Sequence, residues 1–173
     1  MKNQKMDTGK VALIGLSVSL ALLLSYVELL LPPIFVSVPG IKMGLPNVVI
    51  LYTLYTLGVR HAILVSGVRL AISSILFGTP MTFLYSLAGA TLSMLVMILL
   101  KKSNQLSSVG VSVAGAVCHN IGQILMAMVL LGTKQIIYYL LVLLVTGTIA
   151  GIFIGLVGGQ MVKRLPLQKM LKK

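Results

Sequence analysis

The sequence predicts an all-α integral membrane protein, a bundle of six transmembrane helices with both termini in the cytoplasm. Three observations predict it. Of 173 residues, 58% are hydrophobic and only 9% are charged, more apolar side chain than a soluble domain of this size can hide, so lipid must serve as the solvent. The apolar residues fall into runs of about 15–27, lengths suited to helices crossing a bilayer. The cations cluster at the ends of those runs, which gives the bundle a direction.

Taken in order, residues 1–9 form a cytoplasmic N-terminus, 10–162 a single membrane domain and 163–173 a basic cytoplasmic tail. The first span, 10–31, follows "MKNQKMDTGK". It is longer than a signal-peptide core and lacks a small-x-small cleavage site, so it reads as a retained helix. Spans 45–59 and 61–77 are short and joined by "GVRH". One broken unit is an alternative, but Gly58 is a natural stop and Arg60 fits poorly inside a continuous span. Spans 81–100, 109–131 and 136–162 complete the bundle.

With the N-terminus inside, 11 of the 14 Lys and Arg residues are cytoplasmic, only Lys42 and Lys134 lie outside, and Arg69 lies within a span. Cytoplasmic loops carry such an excess of cations. Tyr138 and Tyr139 then occupy the outer interface, where aromatic rings prefer to sit. The net charge of +12 does not point to nucleic acid, because the cations do not share one soluble face.

The first external loop, Pro32 to Gly44, begins "PPIFVSVPG", which is stiff and partly apolar and suited to lying over a cavity. Leu45, Pro46 and Asn47 open the second helix, with Pro46 in the first turn, where a backbone donor is spare. Free amide donors, the positive helix end and Lys42 meet there, a combination suited to an anion or a polarised carbonyl. The alternative is an ordered loop whose lysine faces solvent.

Inside the spans, Arg69 shares a helical face with Ser66 and Ser73. Charge at mid-membrane is costly and needs protein or water around it. Glu28 is the only carboxylate in any span, so a Glu28–Arg69 ion pair is feasible, either as a structural bridge or as part of a ligand site. Ser112, His119 and Gln123 fall on one face of the fifth helix with Asn120 adjacent, marking a cavity or a polar helix–helix contact. His119 has no second histidine or carboxylate at ligand spacing, so no metal site is expected. Cys118, the single cysteine, reads as a small buried hydrophobe.

Gly147, Gly151, Gly155 and Gly159 repeat at i+4 and form a groove for close helix packing, internal or with a partner. Gly15 with Ser19, and Ser17 with Ala21, make smaller versions on the first helix. Thr82, Ser86, Gly89 and Ser93 line one side of the fourth. Two carboxylates in the whole chain, Asp7 and Glu28, cannot build a paired-acid or aspartate-rich Mg²⁺ site. No nucleophile elbow, Walker motif or dinucleotide fingerprint occurs. Neither enzyme activity nor a cofactor is expected, and any energy for transport must come from another protein.

The strings "PGIKMGLPNVVILYTLYTLGVRHAILVSGVRL", "LFGTP", "SLAGATLSMLVM" and "GVSVAGAVCHNIGQ" resemble the Gx transporter family, also described as heptaprenyl diphosphate synthase component I. The resemblance covers about residues 10–162. Prenyl diphosphate synthases bind Mg²⁺-diphosphate through aspartate-rich motifs, which this chain lacks. The family is also similar to the S components of energy-coupling factor (ECF) transporters. That likeness implies six helices, a ligand pocket beneath the first external loop, and docking to a coupling transmembrane protein and ATPase subunits. Gly15, Ser19 and Ala21 stand where such proteins carry small docking residues. The resemblance implies a bacterial plasma membrane and a subunit that captures a small anionic, vitamin-like or isoprenoid-like solute from outside. Lys42, Asn47, Arg69, His119, Asn120 and Gln123 are the expected binding residues. The alternative is a non-transporting partner of an isoprenoid, quinone or flavin-based extracellular electron-transfer system.

Overall fold

The computed structural model describes residues 8–30 and 44–165. Six α-helices follow in order: α1 Thr8–Leu30, α2 Asn47–Thr56, α3 Val59–Phe77, α4 Pro80–Ser103, α5 Ser108–Leu131 and α6 Tyr138–Arg164, with a 3-10 turn at Lys134–Ile137 before α6. Local chemistry sets the boundaries. Gly58 adopts φ +92° between α2 and α3, a conformation that costs other residues a Cβ clash, and it divides the "GVRH" region into two helices. Thr79 and Thr82 form a reciprocal capping box ahead of α4, with Pro80 in its first turn. Ser107 caps α5 by accepting from the Gly110 amide at 3.3 Å, and Gly132 ends it in the left-handed region.

Five of these helices are long and apolar enough to cross a membrane. The expectation of six spans needs correction at α2, whose 10 residues rise about 15 Å, half of a ~30 Å hydrocarbon layer. Eight of those residues are buried, and α2 packs against α1, α3 and α6. The run is apolar on every side because protein surrounds it. Hydropathy alone cannot separate that environment from lipid.

The long helices turn large apolar side chains outward, among them Leu16, Leu23, Ile75, Leu99, Val129, Leu141, Ile149 and Phe153. Arg69, His119, Asn120, Gln123 and several serines point inward. Apolar outside and polar inside is the arrangement of a protein solvated by lipid. The main apolar core surrounds α2: Ile50, Leu51 and Leu54 meet Ala62 and Val65 of α3, Met94 and Met97 of α4, Val111 of α5 and Ile154 of α6.

Side-chain contacts fix which helix ends lie together. Tyr26 and Phe77 stack at 5.3 Å between ring centroids, joining the C-terminal ends of α1 and α3. Lys101 of α4 donates to the Leu54 carbonyl at 2.5 Å, and the Tyr52 hydroxyl donates to the Leu165 carbonyl at 2.9 Å. The C-terminal ends of α2, α4 and α6 therefore share one end of the bundle. The N-terminus of α5 joins them, since Gly159 lies against Ser108 and Gly155 against Val109. This end gathers Arg60, Lys101, Lys102, Lys163 and Arg164. Lys134 is the one lysine or arginine at the opposite end among the described residues.

Glycines set the closest approaches. Gly89 of α4 and Gly122 of α5 bring those helices into backbone contact, and Gly115 leaves room for Met97. The i+4 run on α6 is occupied by α5: Gly147 faces Asn120, Gly151 the Val113 backbone, Gly155 Val109 and Gly159 Ser108. On α1, Ser17 and Ala21 are buried, whereas Gly15 and Ser19 are exposed, with nothing within 4 Å of where a Gly15 Cβ would stand.

Candidate functional site: a polar layer inside the bundle

Arg69 on α3 and Gln123 on α5 each lie eight residues from the end of their helix remote from the basic end, and Gly89 on α4 lies nine from its own. At 1.5 Å per residue this places all three at one depth, about 12 Å inside the bundle. Ser25 and Glu28 on α1 lie toward the same end.

Arg69 is buried, with 8% of its surface exposed. Its Nη1 donates to Ser25 Oγ at 3.3 Å, while Ser25 donates to the Ala21 carbonyl at 2.9 Å. Glu28 acts on Arg69 through its charge. Its Oε1, however, accepts from the amide of Gly44 and from that of Leu45 at 3.3 Å. Those are the donors expected from the sequence to await an anion at the mouth of α2; the protein's own carboxylate takes them. Glu28 thus holds the entry to α2, and hydrogen-bonding capacity remains on Arg69.

On α5, the His119 ring lies against Gly89 of α4, with the Gly89 backbone as a polar neighbour and the charge of Arg69 acting on the ring. Gln123, one turn further along, packs its Cγ against the same glycine and is only 2% exposed. Among the described residues, four buried side-chain atoms lack a hydrogen-bond partner: Arg69 Nε, His119 Nδ1, Gln123 Nε2 and Gln123 Oε1. A buried polar atom left bare costs about 1–3 kcal/mol, and native proteins leave few of them. Here they belong to three side chains: Arg69, whose charge reaches the His119 ring, His119 itself, and Gln123, one turn from His119 on the same face of α5.

Other expected residues take different places. Asn120 Nδ2 donates to the Leu143 carbonyl at 2.6 Å, and its amide fills the gap left by Gly147; it clasps α5 to α6. The Asn47 side chain folds over Gly44 and its backbone N–H donates to the Gly44 carbonyl at 2.8 Å, fixing the start of α2. Ser112 packs at Gly155, and Ser73 donates to the Leu70 carbonyl at 3.2 Å. Lys42, and the loop before Gly44, lie outside the described residues. Ser25 was not expected. Its signal was present, one turn before Glu28 on the same helical face.

Chemically, the layer offers a guanidinium, an imidazole and a carboxamide. Among the described residues, no group of three or more His, Cys, Asp or Glu side chains could hold a metal ion. The fold and its interior define a multi-pass membrane protein with a polar layer within its apolar bundle. Residues 17–161 match the family described as heptaprenyl diphosphate synthase component I, and the chain belongs to that family. No curated protein and no solved structure matches it.

Proposed function

We propose that the protein is the solute-capturing membrane subunit of an ECF-type transporter, taking up a small polar or anionic solute from the outer face. The observation that carries this reading is the set of bare polar atoms on Arg69, His119 and Gln123. A solute held there would meet a cation and both kinds of hydrogen-bonding partner at about 12 Å depth. The basic end of the bundle faces the cytoplasm in this reading, so both termini are cytoplasmic, α2 descends from the outer side, and the polar layer lies in the outer half. Nothing in the chain's chemistry calls for catalysis; the protein binds, and partners supply energy. The exposed Gly15 and Ser19 on α1 form the docking face for a coupling membrane protein, which works with ATPase subunits.

The test is ATP-dependent uptake together with recovery of a tagged chain from membranes. Co-purification with a coupling membrane protein and ATPases, and uptake lost with Arg69→Gln, are the expected results. The family description, naming one component of a synthase, favours a second reading, a non-transporting partner of an isoprenoid-forming enzyme. Recovery with prenyl or redox enzymes alone would support it. That reading cannot use the α6 glycine groove, which α5 fills.

A further inference from the structure

The bare atoms differ in kind. Arg69 Nε only donates and His119 Nδ1 takes either role according to tautomer, while the Gln123 carboxamide presents one donor and one acceptor side by side. Both Gln123 atoms are without a partner among the described residues, so exchanging its N and O leaves the argument unchanged. An acceptor-only solute such as a carboxylate or a fully ionised phosphate satisfies Arg69 and Gln123 Nε2 but leaves Oε1 of Gln123, a residue 2% exposed, bare. That residual cost falls on every such solute.

We infer that Gln123 reads a cyclic amide or imide edge, a ring N–H beside a ring C=O, on a solute whose further acceptor or anionic group lies against Arg69. The inference rests on the capture reading and narrows its substrate class. Paired hydrogen bonds run from the ring N–H to Gln123 Oε1 and from Gln123 Nε2 to the ring C=O. A site built around a solute N–H discriminates steeply against an analogue that lacks it.

The full chain in lipid nanodiscs tests this by equilibrium dialysis with orotate and with alloxazine, each paired with its 1,3-dimethyl derivative, and with benzoate as an acceptor-only anion. The expected result is that an imide probe binds at least about tenfold more tightly than its dimethyl partner. Gln123→Met should abolish that preference without lowering thermal stability, because it removes two polar atoms that hold nothing in place. Arg69→Gln should weaken the imide probe as well. Equal, Arg69-dependent binding of the imide, the dimethyl ring and benzoate would overturn the amide-edge assignment and leave capture intact. Failure of every probe would also overturn it, while ATP-dependent uptake and partner recovery judge the capture reading separately.

Discussion

Glu28, near the end of α1, accepts hydrogen bonds from the backbone amides of Gly44 and Leu45 at the threshold of α2. A buried carboxylate at that position serves as the anion that a helix N-terminus attracts. It joins the two sides of the segment between α1 and α2, the external loop of the proposed orientation.

Glu28→Ala should therefore strip two amides of their acceptor in a buried setting, a loss of about 1–3 kcal/mol. Glu28→Gln retains an acceptor oxygen and should cost less. Thermal unfolding in detergent, followed by circular dichroism, should rank the proteins wild type, Gln, then Ala in falling Tm. Equal Tm for Ala and wild type would remove Glu28 from the α1–α2 junction.

Asn120 and Gln123 share α5 but should behave oppositely. Asn120→Leu deletes the 2.6 Å bond to the Leu143 carbonyl and forces a branched chain toward Gly147, so it should destabilise by about 1–3 kcal/mol. Gln123→Met should weaken solute binding without lowering Tm. A Tm series and a binding series on the same two variants separate the clasp from the site.

Glycine substitutions make a similar contrast. A Cβ on Gly155 would lie 2.6 Å from the Val109 Cα, so Gly155→Ala should push α5 and α6 apart at about 1–3 kcal/mol. Gly15 has nothing within 4 Å of a Cβ. Gly15→Leu should leave the Tm of the isolated chain unchanged and reduce recovery of a coupling membrane protein. Lost recovery with Gly155→Ala but not with Gly15→Leu would move the docking face away from α1.

Lys101 caps the end of α2 through the Leu54 carbonyl and lies 5.1 Å from the Tyr55 ring centre. Lys101→Met retains the apolar stem and loses the donor and the cation–π contact, so a modest loss of stability, about 1–2 kcal/mol, is expected and should be read as a lower Tm. Hydrogen exchange concentrated at residues 51–57 should locate the effect.

Much of this was legible in the sequence. Arg69, His119 and Gln123 stand out because polar groups amid apolar residues at helical spacing must face the interior of a membrane bundle. The helix break at Gly58 follows from local backbone chemistry. The length and burial of α2 did not follow, because an apolar run reads alike whether lipid or protein surrounds it. Nor did the partner of Glu28, since backbone amides brought together by a turn leave no residue pattern. Asn120 and Gln123 could not be told apart either: three positions on a helix differ by 60° of rotation, and only the placement of α6 assigns one to a clasp and the other to the polar layer.

The central claim is that the buried, cationic Arg69–His119–Gln123 layer receives a solute from outside the cell. Because the chain has one cysteine, a Cys118→Ser background carrying Gln123→Cys gives a single thiol in that layer. Its reaction with externally added anionic, membrane-impermeant sulfonatoethyl methanethiosulfonate in whole cells is the most direct measurement. The account predicts labelling of Gln123→Cys, slowed by Arg69→Gln and absent at the lipid-facing control Val129→Cys. A thiol at position 123 that stays as inert as one at 129, in a protein that remains folded, would contradict it.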